Sequence, residues 1–373
     1  MAHIVLENLV KRFGSQTAVK ELNLEIKDRE FVSILGPSGC GKTTTMNMIS
    51  GLLKPDSGNI YFDGRLMTDV PPGKRGVGFM FQNYAVFTHM NVYKNVAFGL
   101  LIRKQSREEI DTAVRAVTKL LQIDHLLGMN AGKLSINDMQ KVALARSIVV
   151  KPMIFLLDEP LSNLDAALRS VMRVELKKIQ QELGQTSVYV THDQVEAMSL
   201  SDKIAVMNFA VLQQFDTPDN IYNRPKNLFV AKFIGSPTIN FFGGDYGDGS
   251  IRLPAFSRGI LPLSAKRTSR LKDKLQHERV VLGIRPEHVK VSDTEVPDCA
   301  PLRAKVVSYE PLGSKTIVYL HPDGDPNLIV KSSMPSGYKP VIGEMKWLSC
   351  PEKHFYLFDE VTTDLVERFS DDV

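Results

Sequence analysis

Residues Gly36 to Thr43 read GPSGCGKT, a Gly-x-x-x-x-Gly-Lys-Ser/Thr pattern. An apolar run precedes it, FVSIL at Phe31–Leu35, and a helical pattern, TTTMNMISGLL, follows from Thr43. Strand, glycine turn and helix in that order leave the chain few choices. The glycines let successive backbone N–H groups wrap an oxyanion, and the helix N-terminus adds partial positive charge. The stretch predicts a phosphate-binding loop in which Gly36, Ser38, Gly39, Cys40, Gly41, Lys42, Thr43 and Thr44 line the site. Lys42 would reach the β- and γ-phosphates, and the Thr43 hydroxyl would bind Mg²⁺.

A second chemical signal is IFLLDEP, Ile154 to Pro160. Alone, an apolar strand ending in two carboxylates is common. Paired with a phosphate loop, Asp158 reads as a Mg²⁺ holder and Glu159 as the group that polarises the attacking water. The surrounding chain alternates strands and helices, as an α/β core does. SVYVT (187–191) is apolar enough to be buried on both faces, LNLEI (22–26) alternates at period two, and Asp63-Gly64 marks a hairpin turn. Ile110, Val114, Val117 and Leu121 share one face of a predicted helix, and Gly184 is a helix stop after residues 165–183.

From about Pro237 the pattern changes to short strands and frequent Gly, Pro and Asp turns, with a possible helix only near the C-terminus. The expected organisation is an α/β P-loop NTPase domain over 1–236, with a helical subdomain at about 83–150, and a smaller β-rich domain over 237–373. A net charge of +4 gives no case for nucleic-acid binding. No signal peptide is visible, and no stretch reaches the roughly 18 apolar residues that a membrane span needs. Cys40, Cys299 and Cys350 show no paired spacing and fit a reducing compartment.

With these motifs in hand, the chain resembles the ATP-binding cassette (ABC) ATPases. SNLD, Ser162 to Asp165, resembles the family's D-loop; VTHD resembles its switch, with His192 near the γ-phosphate; MFQNYAVFTHMNV resembles its Q-loop, with Gln82 sensing Mg²⁺ and the attacking water. Phe13 in KRFG stands where the family stacks an aromatic ring on adenine. Beyond Gly235, the blocks FIGSPTINFF, LGIRPEHV, EPLGSKTIVYL and PEKHFYLFD resemble the bacterial carbohydrate-importer subfamily, the maltose-importer ATPase type. The resemblance implies an oligonucleotide-binding (OB)-type barrel in the second domain and ATP with Mg²⁺ as cofactors. It further implies a dimer closing on two ATPs, two membrane-spanning permease subunits, an extracytoplasmic solute-binding protein, and a place on the cytoplasmic face of the membrane. A soluble cassette ATPase acting on ribosomes or DNA is the alternative, although such chains usually carry two cassettes or a coiled coil. A regulatory partner for the second domain would be an added role.

Three places depart from the family. Its signature reads Leu-Ser-Gly-Gly-Gln, whereas this chain has Leu134, Ser135, Ile136, Asn137 and Asp138. In the family this segment, with the D-loop Asp165, acts on the partner's ATP. Ile136 adds bulk, and Asp138 adds negative charge beside a polyanion. At an effective dielectric of about 20 and roughly 7 Å, such a pair costs about 2 kcal/mol. That figure holds if the carboxylate faces the phosphate; Asp138 could instead cap the helix that starts here. Since Lys42, Asp158, Glu159 and His192 are intact, the favoured expectation is a heterodimer with a second, different ATPase; the alternative is a symmetric homodimer in which the altered signature is tolerated. Ala210-Val211 replaces a Gly-Arg turn, and Thr88 replaces a proline near the expected permease contact.

Overall fold

The computed structural model describes residues 2–296, 300–325 and 327–372. Its contacts divide it into two compact units, Met1–Pro218 and Asp219–Val373. In the first unit the strands are β1 (Ile4–Phe13), β2 (Gln16–Ile26), β3 (Phe31–Leu35), β4 (Ser57–Phe62), β5 (Arg65–Leu66), β6 (Val77–Met80), β7 (Ile154–Asp158), β8 (Thr186–Thr191), β9 (Lys203–Asn208) and β10 (Val211–Asp216). The helices are α1 (Lys42–Ser50), α2 (Val92–Ile102), α3 (Arg107–Leu120), α4 (Ile136–Ile148), α5 (Ala166–Leu183) and α6 (Gln194–Leu200).

Six strands form the central sheet in the order β10-β9-β3-β8-β7-β6, all parallel except β10. Every residue of β3, β7 and β8 is buried. Their alternate side chains feed two separate cores. Val32, Ile34, Ile154, Leu156, Val188 and Val190 pack with α1 and a four-stranded sheet ordered β2-β1-β4-β5. Phe31, Phe155, Leu157 and Tyr189 pack with α2, α3 and α4. This two-sided burial is why these strands read as continuous apolar runs, and it delivers Leu35 and Asp158 to the same end of the sheet.

Local signals decide the edges. Asp63 (φ 49°) and Gly64 (φ 73°) form the two-residue loop between paired Phe62 and Arg65. Helix α3 begins with a Ser106/Glu109 capping box and buries Ile110 and Val114, with Leu121 buried just beyond it; α5 stops at Gly184 (φ 57°). The β9–β10 turn is less easy. Phe209 (φ 43°) and Ala210 (φ 67°) both occupy the left-handed region, where a β-carbon is strained. A glycine at Ala210 would relieve that strain. The Ala210 carbonyl is fixed by the Lys20 amide at 2.9 Å.

The second unit is built from two antiparallel sheets. One holds six strands, with 240–247 paired to 279–284 at its centre; the other holds five, with 300–311 between 315–322 and 345–350. They share a core including Phe242, Leu282, Leu302, Val318, Leu348 and Phe355. Buried Arg285 donates to the carbonyls of Tyr222, Ala231 and Ile234, so the segment from Asp219 packs with this unit rather than ahead of it. The helix expected near the C-terminus is only the 3-10 turn Phe369–Asp372. A ten-residue helix lies instead at Ala265–Lys274. Its buried face consists of Arg267 and Leu271, too few apolar residues to show a period. Cys40 and Cys350 are buried in different units, while Cys299 lies outside the described residues.

Candidate functional site

The phosphate loop runs from the end of β3 into α1 as expected. Gly39 (φ 77°) and Gly41 (φ 105°) adopt conformations that favour glycine. A β-carbon at Gly36 would sit 2.3 Å from the Met207 carbonyl oxygen, and one at Gly41 would sit 2.2 Å from that of Ala18. Side chains are therefore excluded, and the backbone forms a tight cradle. Ser38 and Gly39 are exposed at its tip, whereas Cys40 is buried behind it with its thiol pKa raised by desolvation. Lys42 is 6% exposed and donates to the carbonyls of Gly36 (2.8 Å) and Pro37 (3.0 Å). Phe13 is 53% exposed and lines one cleft with Gly39, Gly41, Lys42, Thr43 and Thr44. An exposed ring beside a phosphate cradle suits a nucleotide base.

The Thr43 hydroxyl stands 3.4 Å from Asp158 Oδ1. Burial, then the neighbouring Glu159 charge, raise the Asp158 carboxyl pKa. Two hard oxygen donors with excess negative charge suit Mg²⁺ completed by substrate phosphates.

Glu159 (φ 44°) turns out of the strand end, held by its amide to the Val190 carbonyl at 2.9 Å. Both its oxygens are engaged. Gln82 Nε2 donates to Oε2 at 3.1 Å, and His192 Nδ1 lies 3.1 Å from Oε1. Gln82, Glu159 and His192, spread over 111 positions of sequence, thus converge on one carboxylate.

Sequence motifs did not reveal the frame behind His192. Glu196 is buried and accepts from Tyr189 (2.8 Å) and Thr191 (2.6 Å). Asp193 caps α6, and Arg169 reaches both Asp193 (3.3 Å) and the Leu164 carbonyl (3.0 Å). The i to i+4 offset from His192 to Glu196 on a strand-to-helix turn was the available signal. Asp165 caps α5, its carboxylate accepting from the Leu168 amide at 3.0 Å.

The signature segment opens α4. Ser135 is the N-cap, and its oxygen accepts from the Asp138 amide at 3.1 Å. Its hydroxyl donates to Asp138 Oδ2 at 2.7 Å. Of the two orientations open to Asp138, the structure shows the carboxylate folded onto the cap. Ile136 is 53% exposed at the same turn.

The chain is similar to known proteins over most of its length. Residues 19–162 match the ABC transporter family, 235–289 the MalK OB fold domain and 282–358 the TOBE domain. The trehalose/maltose import ATP-binding protein MalK of Thermococcus litoralis is 48% identical over 334 residues, covering 87% of this chain and 89% of that one. The sn-glycerol-3-phosphate import ATP-binding protein UgpC of Ruegeria sp. (strain TM1040) is 40% identical over 362 residues, covering 97% and 98%. Among solved structures, cbiO1 from Clostridium perfringens, part of the ABC transporter complex cbiONQ, aligns with a TM-score of 0.55 at 31% identity over 58% of this chain and 89% of that one. Such identity over nearly the full length settles the matter: this chain belongs to the ATP-binding cassette ATPases, in the carbohydrate-importer subfamily.

Proposed function

We propose that this chain hydrolyses ATP to drive uptake of a carbohydrate or polyol, a sugar, glycerol or glycerol phosphate. It would do so from the cytoplasmic face of the membrane, docked on two permease subunits that receive solute from an extracytoplasmic binding protein. The relatives named above, a trehalose/maltose and an sn-glycerol-3-phosphate import protein, support that solute class. Among the described residues no helix is long and apolar enough to cross a membrane. The observation that carries the ATPase reading is the double engagement of Glu159 by Gln82 and His192 beside the phosphate loop.

The roles follow from position. Phe13 stacks on the base. The backbone amides of residues 36–43 and the Lys42 ammonium hold the β- and γ-phosphates. Thr43, Asp158 and Gln82 would hold Mg²⁺, which neutralises charge on the phosphate oxygens. Glu159 accepts a proton from the attacking water. Gln82 and His192, bound to its two oxygens, fix the direction of the carboxylate, and positioning of this kind carries most of the catalysis in phosphoryl transfer.

The pairing of the chain is unequal. Ser135 and the following amides face the partner's ATP in a closed dimer. Here the Ser135 hydroxyl is committed to Asp138, and a carboxylate sits at the helix N-terminus that a phosphate would use. We infer that this chain lends a working nucleotide pocket to a second, different cassette and offers that partner a poor lid. The relatives' descriptions each name one ATP-binding protein, so this pairing rests on residues 135–138.

Purifying the membrane complex through a tag on this chain tests both levels. The expected result is one copy of this chain with one copy of a cassette whose signature keeps its glycines; a complex holding two copies of this chain overturns the pairing. Solute uptake that survives Lys42→Ala overturns the ATPase role.

A further inference from the structure

Between Phe81 and Thr88 the backbone belongs to no helix or strand, yet it carries Gln82 to Glu159. Its two ends are fixed. Upstream, the Gln82 carbonyl accepts from Asn163 Nδ2 at 3.3 Å. Downstream, the Phe87 amide and carbonyl are both taken by the buried Asn95 side chain on α2, at 2.9 and 3.0 Å. Between these anchors Tyr84 (φ 60°) and Ala85 (φ 47°) are consecutive left-handed residues with side chains, a conformation that the surroundings must hold in place.

Local turns hold part of it, the Tyr84 amide donating to the Phe81 carbonyl at 2.9 Å and the Ala85 amide to the Asn83 carbonyl at 2.7 Å, and a side chain from the last turn of α4 takes the carbonyls of both residues. Arg146 donates to the Ala85 carbonyl at 2.5 Å and to the Tyr84 carbonyl at 3.2 Å, and its guanidinium lies 5.0 Å over the Phe87 ring. Burial lowers its pKa, and no carboxylate contributes to that shift. The charge is spent on two backbone carbonyls and a ring. A planar fork can bond both carbonyls while its face stacks on the ring; a lysine ammonium could donate to carbonyls but could not stack in the same way.

We propose that Arg146 is a positioning residue for ATP hydrolysis. It clasps the strained loop at Tyr84-Ala85, sets the reach of Gln82 toward the Glu159 carboxylate, and so ties this chain's own nucleotide site to α4. Ser135 caps that helix and Asp138 lies in its first turn, so one helix of 13 residues connects the lid offered to the partner with the groups acting on the chain's own ATP. The inference rests on the hydrolytic reading of Gln82 and Glu159.

The test uses the complex purified from its own membrane, with Arg146→Met, Arg146→Lys and, as a separate arm, Glu159→Gln. Arg146→Met is expected to lower kcat about tenfold with KM for ATP within about twofold. Amide exchange should quicken over residues 82–90 while β7 and α1 keep their protection, and Arg146→Lys should recover part of kcat. Unchanged kcat overturns the proposal. So does a loss of kcat that comes only with faster exchange throughout the first unit and a lowered Tm, since that is a merely structural role. If Glu159→Gln retains wild-type turnover, the underlying reading fails. If Glu159→Gln is inactive and Arg146→Met is not, Arg146 alone is excluded.

Discussion

The nucleotide pocket and the signature turn are built from similar parts, a helix N-terminus preceded by a loop, and they end in opposite states. At the pocket, Gly36 and Gly41 let the loop pack tightly against the carbonyls of Met207 and Ala18, and an open cleft lined by Phe13, Gly39, Lys42 and Thr43 lies at the start of α1. At the signature turn, Ile136 places an exposed branched side chain and Asp138 returns its carboxylate to the Ser135 hydroxyl. One helix start is left for an external anion; the other supplies its own. The difference shows that anion binding at a helix N-terminus depends less on the helix than on whether the nearby side chains leave its donors unspent.

Glu159→Gln should have the largest effect. Turnover in the assembled complex should fall about a thousandfold with ATP still bound, because a general base is removed and the cradle kept. A loss of binding instead would mean that Glu159 shapes the cradle. Lys42→Ala should follow, with turnover and nucleotide affinity both reduced on the order of a hundredfold. Equilibrium nucleotide binding separates the two variants. Ser135→Ala, at the other helix start, should change turnover by less than about threefold, since the hydroxyl it removes is already engaged by Asp138. A loss as large as that of Lys42→Ala would put the signature turn back among the working groups.

Two smaller effects concern stability away from both helix starts. In the second unit His288 and His354 stack with ring centroids 3.7 Å apart. Burial, then the His288 charge, depress the His354 pKa to about 4, and burial also lowers that of His288. Arg368, Lys353, Arg285 and Lys290 face the pair, with Glu287 the opposing charge. A depressed histidine pKa means that the folded state prefers the neutral ring. The stabilisation is therefore complete above about pH 6.5 and is lost as pH falls toward 4. Calorimetry should show Tm of the second unit dropping by a few degrees between pH 7 and 5, and less in His354→Gln. Ala210→Gly should have the smallest effect, stabilising the first unit by about 1 kcal/mol through relief of the left-handed β-carbon, read as a raised denaturant midpoint.

Much of the site was legible because its groups lie at the ends of apolar strands. Leu35, Asp158 and Thr191 finish three strands buried on both faces, so the phosphate loop, Glu159 and His192 had to meet at one end of the sheet. Contacts that cross between elements left no local trace. Arg146 grips carbonyls 61 and 62 positions away, and a backbone carbonyl has no residue identity for a pattern to show. The orientation of Asp138 was open in the sequence because a carboxylate three residues past a serine suits both a cap and a phosphate-facing turn. The helix at 265–274 was hidden for a different reason: an arginine occupies half of its buried face.

Steady-state ATP hydrolysis by the purified full-length chain, with and without Ile136→Gly, Asn137→Gly and Asp138→Gln together, addresses the unequal pairing most directly. Freeing the Ser135 hydroxyl from the Asp138 carboxylate should raise the rate of the isolated chain at least about tenfold, the equivalent of about 1.4 kcal/mol. Equal rates for the two proteins would mean that the native turn already serves as a competent lid, and the case for a second, different cassette would fall with it.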